Sequence, residues 1–131
     1  MKVYALVGSS GTGKSYKAIS FANKHNIECI IDDGLLIKGG KIFAGTSAKK
    51  EPTTIAAIRR AIFMDKDHAA QVREAIDELK PDSILVLGTS INMINRIGDT
   101  LGLPRPYKIT MIEEISTKNE IETAREQRMG Q

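Results

Sequence analysis

Residues 8–15 read Gly8-Ser9-Ser10-Gly11-Thr12-Gly13-Lys14-Ser15, and the residues just before them, Val3-Tyr4-Ala5-Leu6-Val7, are an unbroken apolar run. A helical stretch opens after Lys14, so the order is strand, glycine-rich loop, helix. In that setting the pattern GxxxxGK[ST] has a physical meaning. Successive N–H groups from Gly11 to Ser15 form a concave nest at a helix N-terminus and point at one place, with the positive end of the helix dipole behind them. An anion fits there. Gly8, Gly11 and Gly13 permit positive φ and leave no Cβ in the path of phosphates, Lys14 can reach β and γ oxygens, and the Ser15 hydroxyl can ligate Mg²⁺. Gly8, Ser9, Ser10, Gly11, Thr12, Gly13, Lys14, Ser15 and the following Tyr16 are therefore the candidate nucleotide contacts.

These eight residues resemble the Walker A motif of the P-loop NTPases. The resemblance implies a nucleoside triphosphate as ligand, ATP by default of the superfamily, with Mg²⁺ beside it. Asn23-Lys24-His25-Asn26 is superficially similar to the guanine-reading NKxD motif of GTPases, but it lacks the aspartate and sits too early in the chain.

The rest of the chain reads as alternating strands and helices. A helix from about Gly13 to His25 is expected to turn Tyr16, Ile19, Phe21 and Ala22 inward, and Asn26 is placed to stop it. Residues 27–31 read as a buried strand. Leu35-Leu36-Ile37 and Ile42-Phe43-Ala44 flank Gly39-Gly40 as a hairpin, taken as an insertion over about 35–44 beside the main sheet. Pro52 suits the first turn of a helix carrying Ile55, Ile58 and Ile62 inward, and a second helix buries Ala69, Val72, Ile76 and Leu79 before Pro81. Ile84–Leu87 is the next strand. A helix with Ile91, Ile94 and Ile97 follows, then a strand over about 107–112, and then a polar helix opened by the capping pattern Thr117-Lys118-Asn119-Glu120.

This alternation predicts a three-layer α/β/α domain around a mostly parallel sheet, P-loop NTPase-like, with right-handed crossovers and ligands beyond the carboxyl ends of the strands. That rule selects Gly8 to Ser15, Asp32-Asp33, Gly88-Thr89-Ser90 and Glu113-Glu114. Residues 1–131 read as one domain with four parallel strands. Such a count suits either a minimal domain or the N-terminal portion of something longer.

Phosphoryl transfer needs Mg²⁺, cations and an oriented acceptor as well as a cradle. Asp32 and Asp33 end the second strand, so one could hold Mg²⁺ and the other accept a substrate proton; Lys14, Asp32 and Asp33 are the candidate catalytic residues, and Ser15, Asp32 and Asp33 the candidate metal ligands. Ile30-Ile31-Asp32-Asp33-Gly34 resembles the acidic strand end of shikimate, gluconate and adenylylsulfate kinases, with a different spacing. A polar turn is the competing reading. Ile84-Leu85-Val86-Leu87 runs into Gly88-Thr89-Ser90 without the carboxylate an AAA-type motor would carry there, which favours a kinase-like site. Arg59, Arg60, Arg125 and Arg128 are candidate phosphate clamps or solvated surface. Lys49-Lys50, beside Glu51, reads as a solvated cluster, and Glu113 and Glu114 as capping or solvated residues.

Composition sets the outer bounds. An apolar fraction of 41% over 131 residues supports one core, and 19 basic against 16 acidic residues give a net charge of +3, too mild to call for nucleic acid. Cys29 is the sole cysteine, within an apolar run, so a buried thiol in a reducing cytoplasm is expected. No apolar stretch is long enough for a bilayer. His25 and His68 show no metal-ligand spacing and receive no catalytic role. Two functions lead: an Mg²⁺-ATP phosphotransferase acting on a small acceptor, and an ATP-binding or slowly hydrolysing regulatory module that works through a macromolecular partner; an RNA-associated role is the remaining alternative, without a visible aromatic stacking motif.

Overall fold

The computed structural model describes residues 1–9 and 12–115. It contains a six-stranded, mostly parallel sheet with helices, a mixed α/β architecture. In chain order the elements are β1 (Lys2–Val7), α1 (Lys14–Lys24), β2 (Cys29–Asp32), β3 (Leu35–Lys38), β4 (Lys41–Gly45), α2 (Thr54–Ala61), α3 (Lys66–Leu79), β5 (Ser83–Gly88), α4 (Ile91–Leu101), β6 (Lys108–Met111) and α5 (Ile112–Ile115). The strands lie in the order β4-β3-β2-β5-β1-β6. Parallel pairing joins β2, β5, β1 and β6, the four strands expected, while β3 and β4 add antiparallel to the β2 edge.

Every residue of β5 is buried, as an apolar strand inside a parallel sheet requires. Its alternate residues feed two cores. Leu85 and Leu87 meet Leu6, Ala18, Phe21, Ala22 and Ile112, whereas Ile84 and Val86 meet Val3, Ala5, Ile31, Phe63, Val72, Ile76, Ile94 and Ile97. Thus α1 packs on one side of the sheet, and α3 and α4 pack on the other. Adjacent strands β1 and β5 send their outgoing chains to opposite faces, the arrangement beyond whose carboxyl ends open α/β sheets take ligands.

Several boundaries and faces differ from the sequence reading. The ribbon extends the main sheet instead of lying beside it, because β2 and β3 form a hairpin of their own through Asp33-Gly34, ahead of the Gly39-Gly40 turn. Both central residues of the first turn have positive φ, 55° and 86°, the primed geometry that matches strand twist. On α1, Ala18, Phe21 and Ala22 are buried, but Tyr16 and Ile19 face outward. In α2 no residue is buried: Ile55 and Ile58 are exposed, and Ile62, just past the helix, is the one that reaches the core. A helical period shows that residues share a face, not that anything packs on it. Pro52 falls outside the helix, because Thr53 caps it by accepting from the Ala56 amide at 3.1 Å. Ile91 is likewise exposed in the first turn of α4, while Ile94, Ile97 and Leu101 are buried. The expected helix after Thr117 lies outside the described residues.

Candidate functional site

The residues singled out after the strands gather at one end of the sheet because parallel strands share direction. The loop after β1 and the loop after β5 are neighbours there, and the Gly8 amide donates to the Gly88 carbonyl at 3.1 Å, tying them together. Gly8 has no room for a side chain: a Cβ there would stand 2.6 Å from Ile112 Cγ2. Thr12, buried to 3% exposure, donates from its hydroxyl to the Ser9 carbonyl at 2.7 Å and braces the loop from inside. Gly13 adopts φ 77° as the cap of α1, a left-handed conformation that glycine takes without strain. Ser10 and Gly11, both candidate nucleotide contacts, lie outside the described residues.

Lys14 is half-buried, and its Nζ donates to the Gly8 carbonyl at 2.9 Å, folding the side chain over the loop. Burial holds its pKa below the ordinary lysine value, and the negative charge of Asp32 partly offsets that shift. The Ser15 hydroxyl donates to Asp32 Oδ2 at 2.9 Å. Residues 17 apart in the chain thereby converge beside the loop. Tyr16 is exposed at the helix start with its ring open.

Asp33 is placed elsewhere. Its carboxylate accepts from the Ser47 hydroxyl at 2.9 Å and its carbonyl accepts from the Ala48 amide at 2.9 Å, so it anchors the segment after β4. The structure therefore brings Lys14, Ser15 and Asp32 together, while the Asp33 hydrogen bonds run to the Ser47 segment. Asp33-Gly34 forms the polar turn, and Asp32 stands beside Ser15.

Among the remaining candidates, Ser90 caps α4 by accepting from the Met93 amide at 3.1 Å, and Thr89 turns to Met93 Sδ. Arg60 pairs with Glu51 at 2.9 Å; Arg59, Lys49 and Lys50 are exposed. Glu114 accepts from the Met111 amide at 2.7 Å, a capping role, and Glu113 is exposed. Arg125 and Arg128 lie outside the described residues. His25 lies in tilted ring contact with Phe21 and Tyr4, at the end of α1 away from the loop. Cys29 is fully buried, with its thiol pKa raised by that burial.

Sequence reasoning missed His68. The ring is 4% exposed and stacks on Phe63 at 4.6 Å, with Nε2 2.8 Å from the Gly34 carbonyl oxygen and 3.2 Å from the Thr46 amide nitrogen. Both partners are distant in sequence, so no local pattern could announce them.

Among the described residues, no group of three His, Cys, Asp or Glu side chains could hold a metal ion by itself. Mg²⁺ does not need one: it takes one or two protein oxygens and fills its shell with phosphate and water. Asp32 and Ser15, joined beside the loop, fit that requirement. No described helix is long and apolar enough to cross a membrane. The chain matches no protein-family model, no curated protein and no solved structure, so the functional argument rests on these residues and their geometry.

Proposed function

We propose that this chain is an Mg²⁺-dependent ATP-binding protein with a three-layer, P-loop NTPase-like domain, acting as a kinase-like phosphotransferase on a small acceptor. The Ser15–Asp32 hydrogen bond at the end of a complete GxxxxGK[ST] loop is the observation that carries this reading. Supporting it, the loop follows β1 at the carboxyl end of the sheet, where the chains leaving β1 and β5 go to opposite faces, the position at which open α/β sheets take their ligands.

Each residue then has a physical task. The loop amides neutralise phosphate oxygens without the cost of ordering side chains. Lys14 exchanges its Gly8 carbonyl partner for β and γ oxygens; its half-buried ammonium gains more from an anion than a solvated one would. Asp32 and the Ser15 hydroxyl would present oxygens to Mg²⁺, which would supply charge neutralisation for the phosphates. The acceptor hydroxyl oxygen attacks the γ phosphorus while the bond from that phosphorus to the β-phosphate oxygen breaks, ADP leaves with the bonding pair, and the hydroxyl proton passes to solvent water.

One observation favours the second reading, an ATP-binding or slowly hydrolysing module that works through a protein partner. The Asp33 carboxylate is engaged by Ser47, so the general-base position next to Asp32 is already committed to structure. Calorimetric titration with ATP, ADP and GTP, with and without Mg²⁺, tests the common core of both readings. Mg²⁺-dependent ATP binding that Lys14→Ala abolishes and Asp32→Asn reduces is expected. Equal binding by wild type and Lys14→Ala sinks both. Acceptor-dependent ADP release then separates transfer from regulation.

A further inference from the structure

A neutral imidazole nitrogen carries either a proton or a lone pair, yet His68 Nε2 faces a carbonyl and an amide at once. With the proton on Nε2, the ring donates to Gly34 O and leaves the Thr46 N–H without that acceptor. With the proton on Nδ1, the ring accepts from Thr46, but the Gly34 carbonyl is stranded and a buried Nδ1–H points at nothing, since Nδ1 has no partner. The second arrangement strands two strong groups and the first strands one donor and a lone pair, so the Nε2–H tautomer is favoured.

We propose that His68 is a positioning residue for the candidate site: by donating from Nε2 to the Gly34 carbonyl it clasps the Asp33-Gly34 turn and so sets where Asp32 stands against Ser15. The proposal rests on the reading of Asp32 and Ser15 as the Mg²⁺ ligands. The turn has little slack. A Cβ on Gly34 would lie 2.3 Å from the Thr46 carbonyl oxygen, and one on Gly45 would lie 2.2 Å from the Gly34 carbonyl oxygen, so backbone packs directly on backbone. Asp33 is fastened on the same side by Ala48 and Ser47. Asp32 immediately precedes this clamped pair, and the ring that holds it is itself held flat by Phe63 and by the Asp65 cap, which accepts from the His68 amide at 2.9 Å. Loss of the ring frees the turn on the core side only, leaving the phosphate loop untouched.

The test uses the full chain as wild type, His68→Leu and His68→Gln. Long-range ¹⁵N–¹H correlation spectra are expected to show the Nε2–H tautomer; the Nδ1–H form would overturn the proposal. In ATP titrations, His68→Leu should lose about tenfold of the affinity gained on adding Mg²⁺, the scale on which residues supporting a metal ligand act, with Mg²⁺-free affinity little changed. His68→Gln, whose amide can both donate to Gly34 O and accept from Thr46 N–H, should restore most of that gain. A residue that merely filled the core would lower both affinities together and would not be rescued by a polar side chain, and that result refutes the clasp. Should His68→Leu fail to fold, the tautomer and the His68→Gln titration decide. If wild type binds no ATP, the phosphate-site reading falls by itself. The clasp is then judged by hydrogen exchange, where faster exchange of the Asp32 and Leu35 amides in His68→Gln-rescued fashion is expected and unchanged exchange in His68→Leu overturns it.

Discussion

Replacing Asp33 separates a turn residue from a catalytic carboxylate. The side chain sits on a backbone with φ 55° and accepts one hydrogen bond from Ser47. Asp33→Ala forces a residue with a plain Cβ into the left-handed region, at about 1 kcal/mol more than aspartate, and removes a half-buried hydrogen bond that contributes about 1 kcal/mol. The sum is about 2 kcal/mol. For a chain of this size that corresponds to a fall in Tm of about 6–10 °C. Asp33→Asn tolerates the same φ and can still accept from Ser47, so its Tm should fall by no more than about 3 °C. Ser47→Ala removes this hydrogen bond together with the one its hydroxyl accepts from the Lys49 amide, so its loss is an upper bound on the Asp33 contact. Thermal melts followed by circular dichroism give the stabilities, and Mg²⁺-ATP titrations on the same samples give the site. The structure predicts that ATP affinity in Asp33→Asn stays near wild type. An Asp33→Asn protein with an unchanged melt and a lost Mg²⁺-ATP affinity would refute the division of labour between the two aspartates.

Other perturbations follow from the same geometry. Gly34→Ala meets both a φ of 86° and a Thr46 carbonyl oxygen 2.3 Å from the new Cβ, so it should destabilise by more than about 3 kcal/mol, read from urea denaturation. Burial chiefly, and the Arg60 charge with it, hold the His68 pKa below its ordinary value, against the raising effects of the Gly34 carbonyl and Asp65. The unfolded chain therefore takes up the extra proton first, and stability falls as pH drops below about 6.5, by up to about 1.4 kcal/mol per unit. His68→Gln should remove that component from the pH dependence of denaturation. The Cys29 thiol, buried and with a raised pKa, should react with an alkylating reagent only at the rate of opening, checked by mass-spectrometric labelling with and without urea.

The parts of the fold that were legible in the sequence are those with local causes. The four apolar strands, the helix that opens at Lys14 and the Gly39-Gly40 turn each depend on residues within a few positions of one another, and each is present where the pattern put it. Asp33-Gly34 also carried a local signal, an aspartate-glycine pair flanked by Ile30-Ile31 and Leu35-Leu36, but a strand-end carboxylate and a hairpin turn use the same letters. Only pairing of Asp32 with Leu35 decides for the turn. Strand order was not legible, because nothing local states that β5 enters between β1 and β2. The outward faces of Ile55 and Ile58 have the same origin, since periodicity records a stripe and tertiary packing decides whether it is covered.

The site also depends on residues with no chemistry of their own. In β2, Cys29 and Ile31 are buried against Leu36, Phe63 and Val72, so strand alternation turns Ile30 and Asp32 to the other face, the side of α1 and Ser15. A slip of one residue would send Asp32 into the core beside Phe63 and expose Ile31, which the burial of Ile31, Leu36 and Ala44 in one layer forbids. The break in β3–β4 register falls between Leu36 and Ile37, just beyond this layer. The pairs Asp32–Leu35 and Ile31–Leu36 stay in register on its near side. The Asp32 carboxylate beside Ser15 is therefore aimed by an apolar layer on the opposite face of the sheet, and a register-preserving swap such as Ile31→Val should leave the proposed Mg²⁺-dependent binding intact at a stability cost of about 1 kcal/mol.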